Sequence, residues 1–374
     1  MVDSSIVEQL KVVGLDVGDR YIDLCVLEYE GSVEEEGRIK TTEEGITSRF
    51  GLMPRALMVL EAGTHSPWIN RLLKSLGHKV IVADPGRLRL IAQSMNKTDK
   101  RDSEVLARVG RLDLGMLNPV YHRSAQAQAD LTVVRMREEL MEARSKLVNA
   151  VRSTVKSTGG RIPACDADQF GKHATPHLPG ELKVALAPLV EVVTTLTQKI
   201  REMDRAMAKI AKERYPIAVW LQEEIRGVGP VTSLAYVLVI EEPERFRKSR
   251  DVGPYFGAVP KRRQSGERAP ELGITKAGDR LVRALAVQCA QYMLGAHGID
   301  SDLRRWGQAR MGEGKAQKKR VIVAVARKIL VLMHRLWTTG EHYDPLYQVH
   351  RKEAQEAKRA ASGQLPVQVP VQTM

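Results

Sequence analysis

The sequence predicts an α/β domain followed by two mostly helical ones. Three observations carry this. Over residues 1–120, short β-branched runs alternate with helical stretches. From about Ala125 the apolar positions switch to spacings of three, four and seven. Clusters of glycine and proline punctuate the chain at Gly159–Gly180, at Pro216 and again over Gly253–Gly273.

Element by element, Val12–Val17 and Tyr21–Tyr29 read as strands joined at Gly18-Asp19-Arg20, a hairpin. Arg38–Thr42 offers a third strand, and Thr47–Leu52 a short helix stopped by Pro54. Ala56–Leu60 is a buried strand, Ser66–Leu76 a helix, and Lys79–Ala83 a strand ended by Asp84-Pro85-Gly86. A three-stranded meander followed by alternating helices and strands makes a mixed sheet. This is the order of the ribonuclease-H-like (RuvC-like) fold. Residues 121–215 carry two long helical patterns, Ala125–Thr158 and Glu181–Arg214, around a breaking loop at 159–180. They predict an antiparallel coiled-coil arm, with an ordinary helical bundle as the alternative. Residues 216–345 predict a mostly helical domain, and 346–374 an unfolded polar tail.

Composition narrows the function. The chain holds 58 Lys+Arg against 45 Asp+Glu, a net charge of +13, which points to a polyanionic partner such as nucleic acid. The charge is uneven: Glu28–Glu44 has seven acids against two bases, whereas Leu303–Arg335 has ten bases against one acid. Aromatics make up only 5%, so contact with phosphates is expected over base stacking. The longest uncharged apolar stretch, Gly227–Ile240, has 14 residues, short of the roughly 20 that a membrane helix needs. Three scattered cysteines, Cys25, Cys165 and Cys289, form neither a disulfide framework nor a zinc site. These features predict a protein of the reducing cytoplasm, associated with the nucleoid when bound, with no membrane partner.

Four acids stand where chemistry is expected. Asp16 ends one apolar strand and Glu61 directly follows another, while Asp99 and Asp102 open a helix at spacing i, i+3. Alternatively, Asp99 and Asp102 simply complement the helix dipole, and Asp16 is a turn residue. Four carboxylates meeting at one sheet edge would repel unless a hard, oxygen-seeking cation bridged them, so Mg²⁺ or Mn²⁺ is the expected cofactor. Such ions serve phosphodiester displacement, and Lys97 and Arg101, interleaved with the aspartates, are placed to hold phosphate. Further phosphate candidates are the turn glycines Gly227 and Gly229, whose flanking amides suit a helix-hairpin-helix contact. The spaced bases Lys276, Arg280 and Arg283 and the run Lys318, Lys319 and Arg320 are others. Each is equally compatible with a tight turn or a solvated face.

Together, GLDVGDRYIDLCVL, VLEAGTHSPW, ADPGRLR and NKTDKRDSEVLA resemble the RuvC-like half of the IS-one-ten insertion-sequence transposases. IRGVGPVTSLAYVLVIEEPERF, FGAVPKRRQSGE, ITKAGDRLVRALAVQCA, GKAQKKRVIVAVARKIL and HYDP resemble the second half, in family order. One departure is Ser103, where alanine is usual. The resemblance implies a DEDD metal site at Asp16, Glu61, Asp99 and Asp102. It also implies that Ser265 attacks DNA phosphate, with Lys261, Arg262, Arg263 and Arg268 flanking it. It further implies a guide (bridge) RNA, donor and target duplex DNA, and a homo-oligomer, a dimer pairing into a tetramer. Three other readings compete: a metal-dependent junction nuclease without a serine step, an actin-like or sugar-kinase ATPase, and a non-catalytic nucleic-acid-binding protein. The ATPase reading needs a second Asp-x-Gly strand, and Asp251-Val252-Gly253 has no strand before it.

Overall fold

The structure, a computed structural model, describes residues 10–86, 99–261, 263 and 272–361. It divides into two compact units, residues 1–126 and 127–374.

In the first unit, strands β1 (Val12–Val17), β2 (Tyr21–Leu27) and β3 (Val33–Lys40) form an antiparallel meander. Helix α1 (Glu43–Phe50), β4 (Leu57–Glu61), α2 (Ser66–Ser75), β5 (Lys79–Ala83) and α3 (Asp99–Leu112) follow. The five-stranded sheet has the order β3-β2-β1-β4-β5, with β4 parallel to both β1 and β5. Because side chains alternate along a strand, each strand serves two cores. Val13, Leu15, Ile22, Leu24, Met58 and Leu60 pack against Ile46 and Phe50 of α1 and Ile69 and Leu73 of α2. Val12, Cys25, Leu57, Val59 and Ile81 pack against Leu106, Ala107 and Val109 of α3. Buried His78 ties β4 to α1, since its Nδ1 accepts from Ala56 N at 3.3 Å while its Nε2 lies 3.0 Å from the Phe50 carbonyl.

Two glycines let α3 lie unusually close to the sheet. A Cβ on Gly14 of β1 would sit 1.9 Å from the Ser103 carbonyl oxygen and 2.6 Å from Ala107 N. A Cβ on Gly110 would sit 2.5 Å from Val59 Cγ2. Ser103, 1% exposed, lies inside this contact, which leaves room only for a small side chain.

Several boundaries differ from the sequence reading. β3 begins at Val33 rather than Arg38, because its glutamates face solvent on the sheet's edge, where charge is tolerated. Its acids are partly neutralised, Glu34 by Lys11 at 2.6 Å and Glu35 by Arg49 at 2.5 Å. α1 starts at Glu43 because the Thr42 side chain caps it, accepting from Gly45 N at 3.1 Å.

In the second unit, α4 (Ala125–Ser157) and α5 (Lys183–Arg214) are long helices joined through short helical turns between Ala167 and Leu182. They run antiparallel: Arg214 and Tyr215 hold buried Asp130, Arg137 reaches Asp204 at 2.7 Å, and Arg144 reaches Thr197 at 3.2 Å. Near the loop, Val151 and Val155 pack with Phe170, Leu186 and Val193. The apolar stripes thus pack within the chain. Then come α6 (Pro216–Glu224), α7 (Pro230–Ile240), α8 (Arg280–Leu294), α9 (Asp302–Gln308), α10 (Lys315–Thr339) and α11 (Tyr347–Ala361). The uncharged stretch expected from the sequence is α7, buried from Thr232 to Ile240 and wrapped by its neighbours. Among the described residues no helix is long and apolar enough to cross a membrane. α11 occupies part of the segment expected to be unfolded, since its Glu-, Lys- and Ala-rich sequence favours helix even when exposed.

Replacing Gly14 with alanine overpacks the helix–sheet contact and should cost about 1–3 kcal/mol, read as a lower urea midpoint. The matched change Gly63→Ala, where an added Cβ meets nothing within 4 Å, should leave the midpoint close to wild type.

Candidate functional site

Strand register and helix direction set the acids. Leu15 pairs with Leu60 across the parallel β1–β4 ladder, so Asp16 and Glu61 are the next rank, at the C-terminal ends of adjacent strands. By alternation both share the sheet face of Gly14 and Val59, the face that α3 covers. α3 runs opposite to β1, with Gly110 over Val59 and Ser103 over Gly14. Its N-terminus therefore comes to the edge that carries Asp16 and Glu61. Asp102 is half-buried one residue before Ser103, and Asp16 is half-buried while Glu61 is exposed. The positive end of α3's dipole lies at this concentration of carboxylates and offsets part of their repulsion. Asp99 is the first residue of α3, but its side chain, like all of Lys97, lies outside the described residues. Among the described side chains, no three His, Cys, Asp or Glu groups come close enough together to hold a metal ion. Arg101 is exposed in the first turn of α3.

The sequence reading missed a fifth carboxylate, Asp23. It pairs directly with Asp16 across the β1–β2 hairpin, is 5% exposed, and accepts two hydrogen bonds from Arg38 at 3.0 and 2.9 Å. The signal was the hairpin itself. A turn closed by Gly18 N to Tyr21 O, at 2.9 Å, fixes the register that places residues 16 and 23 opposite each other.

The loop after Glu61 is anchored. Ser66 Oγ accepts from Gly63 N at 3.0 Å and donates to Gly63 O at 2.8 Å, so His122 Nε2, 2.8 Å away, is the donor to it. Burial, with the nearby charges of Arg123, Arg71 and Lys74, pushes the His122 pKa down to about 4. His65 lies in the same loop, accepting at Nδ1 from Trp68 Nε1 at 3.1 Å, with its Nε2 3.3 Å from Asp19.

In the second unit, Ser265, Arg262 and Arg268 lie outside the described residues, but the stem of their loop does not. Pro260 bridges Ile274, Lys261 N donates to Gly273 O at 2.9 Å, and Thr275 N donates to Val259 O at 2.9 Å. Lys261, Arg263, Lys276, Lys319 and Arg320 all line one groove beside this stem. Lys318 is exposed near the start of α10. The expected helical face of Lys276, Arg280 and Arg283 is not formed. Asp279 caps α8 through Val282 N at 3.0 Å, so Lys276 precedes the helix and takes a positive φ of 59°. Arg280 is exposed in the first turn, whereas Arg283 Nη1 is occupied by the carbonyls of Phe256 and Ala277 at 2.9 and 2.7 Å. Gly227 and Gly229 form the turn between α6 and α7, half-exposed, with Gly227 at φ 100°.

Two family models match the chain. A Transposase model of DEDD type for IS110 covers residues 13–159, and one described as Transposase IS116/IS110/IS902 family covers residues 221–306. The chain is 28% identical to a Sinorhizobium fredii protein named as a transposase, y4pF/y4sB, over 90% of this chain and 86% of that one. It is 24% identical to the Coxiella burnetii transposase for insertion sequence element IS1111A, over 90% of this chain and 92% of that one. It is 25% identical to the Yersinia enterocolitica transposase for IS1328, over 75% and 83%. The folded acids at one sheet edge and these matches belong together. The chain is a member of the IS110 family of insertion-sequence transposases.

With its folded pKa below the ordinary value near 6.5, neutral His122 stabilises the first unit fully above that pH. The contribution is lost as pH falls from about 6.5 towards 4. His122→Gln should flatten that part of a stability-against-pH curve measured by urea denaturation.

Proposed function

We propose that this transposase is an RNA-guided DNA recombinase. On this reading it cuts and rejoins donor and target duplexes through a covalent phosphoserine intermediate. The observation that supports the reading best is the convergence of Asp16, Glu61 and the N-terminus of α3 on one edge of a mixed sheet of the RuvC-like order. The donor set is made only of carboxylate oxygens, which fits Mg²⁺ or Mn²⁺ rather than a softer metal. Asp16, Glu61, Asp99 and Asp102 would hold the ions. Ions bound there would activate an attacking oxygen and stabilise a leaving one.

The chain's own residues supply the rest. Ser265 Oγ loses its proton and forms a bond to a DNA phosphorus. The P–O bond to the departing strand breaks, and that strand's oxygen takes up a proton. A serine hydroxyl is a weak nucleophile unaided, and no histidine is near it in sequence, so its activation falls to the carboxylate site. Lys261 and Arg263 at the loop stem, with Arg262 and Arg268, neutralise phosphate during attack. Acids from one subunit with serine from another, in a dimer pairing to a tetramer, complete the reading. A noncoding guide RNA leaves sequence selection to base pairing, so these side chains contact backbone.

The test is a covalent-adduct assay in Mg²⁺, with the chain co-expressed alongside the noncoding DNA that flanks its gene and mixed with donor and target DNA. On denaturing gels, Ser265→Ala and Asp99→Ala should each reduce protein-linked DNA by at least about 10³-fold. Cleavage without adduct, unchanged in Ser265→Ala, would make the protein a junction nuclease instead.

A further inference from the structure

We propose that the groove between α10 and the stem of the Ser265 loop binds a phosphodiester backbone, as the track that carries a strand to the loop. It extends the reading above, but rests on separate observations. The groove has a volume of about 1,900 Å³, and nine of its lining residues are Lys or Arg against three acids. The acids, Asp302, Glu341 and Asp344, involve the C-terminal wall: Asp302 accepts from Gln348 N at 2.7 Å and Glu341 pairs with Arg335 at 2.9 Å. Six other lining cations differ from Arg335 in this respect. Among the described residues, Lys261, Arg263, Lys276, Lys319, Arg327 and Lys328 have no carboxylate partner within ion-pair distance. A protein surface this one-sided in charge attracts a polyanion.

Of the aromatic residues lining the groove, Trp306 faces the basic wall. Trp306 lines the groove, but its ring already holds two cations, Arg310 at 4.5 Å and Lys328 at 4.4 Å. A ring so engaged is not a free stacking platform. It anchors an ammonium at the groove wall.

Lys276 supplies an independent sign. Its left-handed backbone is costly for a side chain with a Cβ, and such strain persists only where the surroundings impose it. Here they do. Gly257, at φ 64°, approaches so closely that an added Cβ would lie 2.3 Å from Ala277 N, and Gly278 would meet Tyr255 O at 1.9 Å. Arg283 clamps both segments through the Phe256 and Ala277 carbonyls. Glycine would suit position 276 better for folding, yet a lysine stands there with its side chain exposed at the groove.

The measurement is fluorescence anisotropy of a labelled 30-base-pair DNA duplex, and of an RNA duplex of the same sequence, with full-length protein across a salt series. Lys276→Gly should keep or raise the melting temperature, weaken binding several-fold, and make the salt dependence shallower by about 0.9 in log–log slope for DNA. Lys319→Glu with Lys328→Glu should weaken binding by at least about 10-fold. Lys156→Glu, exposed at the far end of α4, should change it little. Weakening on DNA assigns the groove to the strand being cut, and weakening on RNA assigns it to the guide. No weakening on either, or equal weakening by Lys156→Glu, would overturn the proposal. Because binding is read without cleavage, the groove and the serine reaction stand or fall separately.

Discussion

The first unit depends on the contact of α3 with β1 at Gly14. No side chain separates strand from helix there, so the Ser103 carbonyl rests where a Cβ would otherwise be. A helix held this close has little freedom to tilt or slide, because Gly110 repeats the contact two turns on against Val59. The backbones of Asp16, Glu61 and the start of α3 take their places along the edge from this packing.

Charge is handled differently in the two units. In the first, acids gather and are answered locally, Asp23 by Arg38, Glu34 by Lys11 and Glu35 by Arg49. The Asp23–Arg38 pair matters most, because an unanswered buried carboxylate directly across from Asp16 would raise the cost of ionising it. In the second unit, among the described residues, Lys261, Arg263, Lys276, Lys319, Arg327 and Lys328 have no carboxylate within ion-pair distance.

Much of this was legible in the sequence. Alternation fixed β1, β2, β4 and β5 nearly to the residue, and it placed Asp16 and Glu61 at strand ends. Lost were features that depend on contacts distant in sequence. The glutamates of β3 hid an edge strand, since their β propensity is poor and only position in the sheet makes them acceptable. The spacing of Lys276, Arg280 and Arg283 suggested one helix because nothing local announces that Asp279 is the cap. In α5, Leu189, Leu196 and Met203 are only half-buried, while Leu186, Val190, Val193, Thr197, Ile200 and Met207 take the inner places. Ser103 looked like a departure from family habit and is in fact another small residue meeting a size limit.

The long pair α4 and α5 has a consequence through the charges buried inside it. Apolar stripes alone tolerate slippage by a heptad, because leucine replaces valine at little cost. Asp130 held by Arg214 and Tyr215, and Arg144 held by Asp168 and Thr197, do not tolerate it, since each slip would strand a charge in the interior. The pair is therefore a ruler with its gradations locked. Thirty-three residues of α4 at 1.5 Å each set its length at about 50 Å. Whatever meets the turns at Ala167–Leu182 does so at a fixed distance from the helical core, and lengthening α4 alone would misalign both ion pairs together.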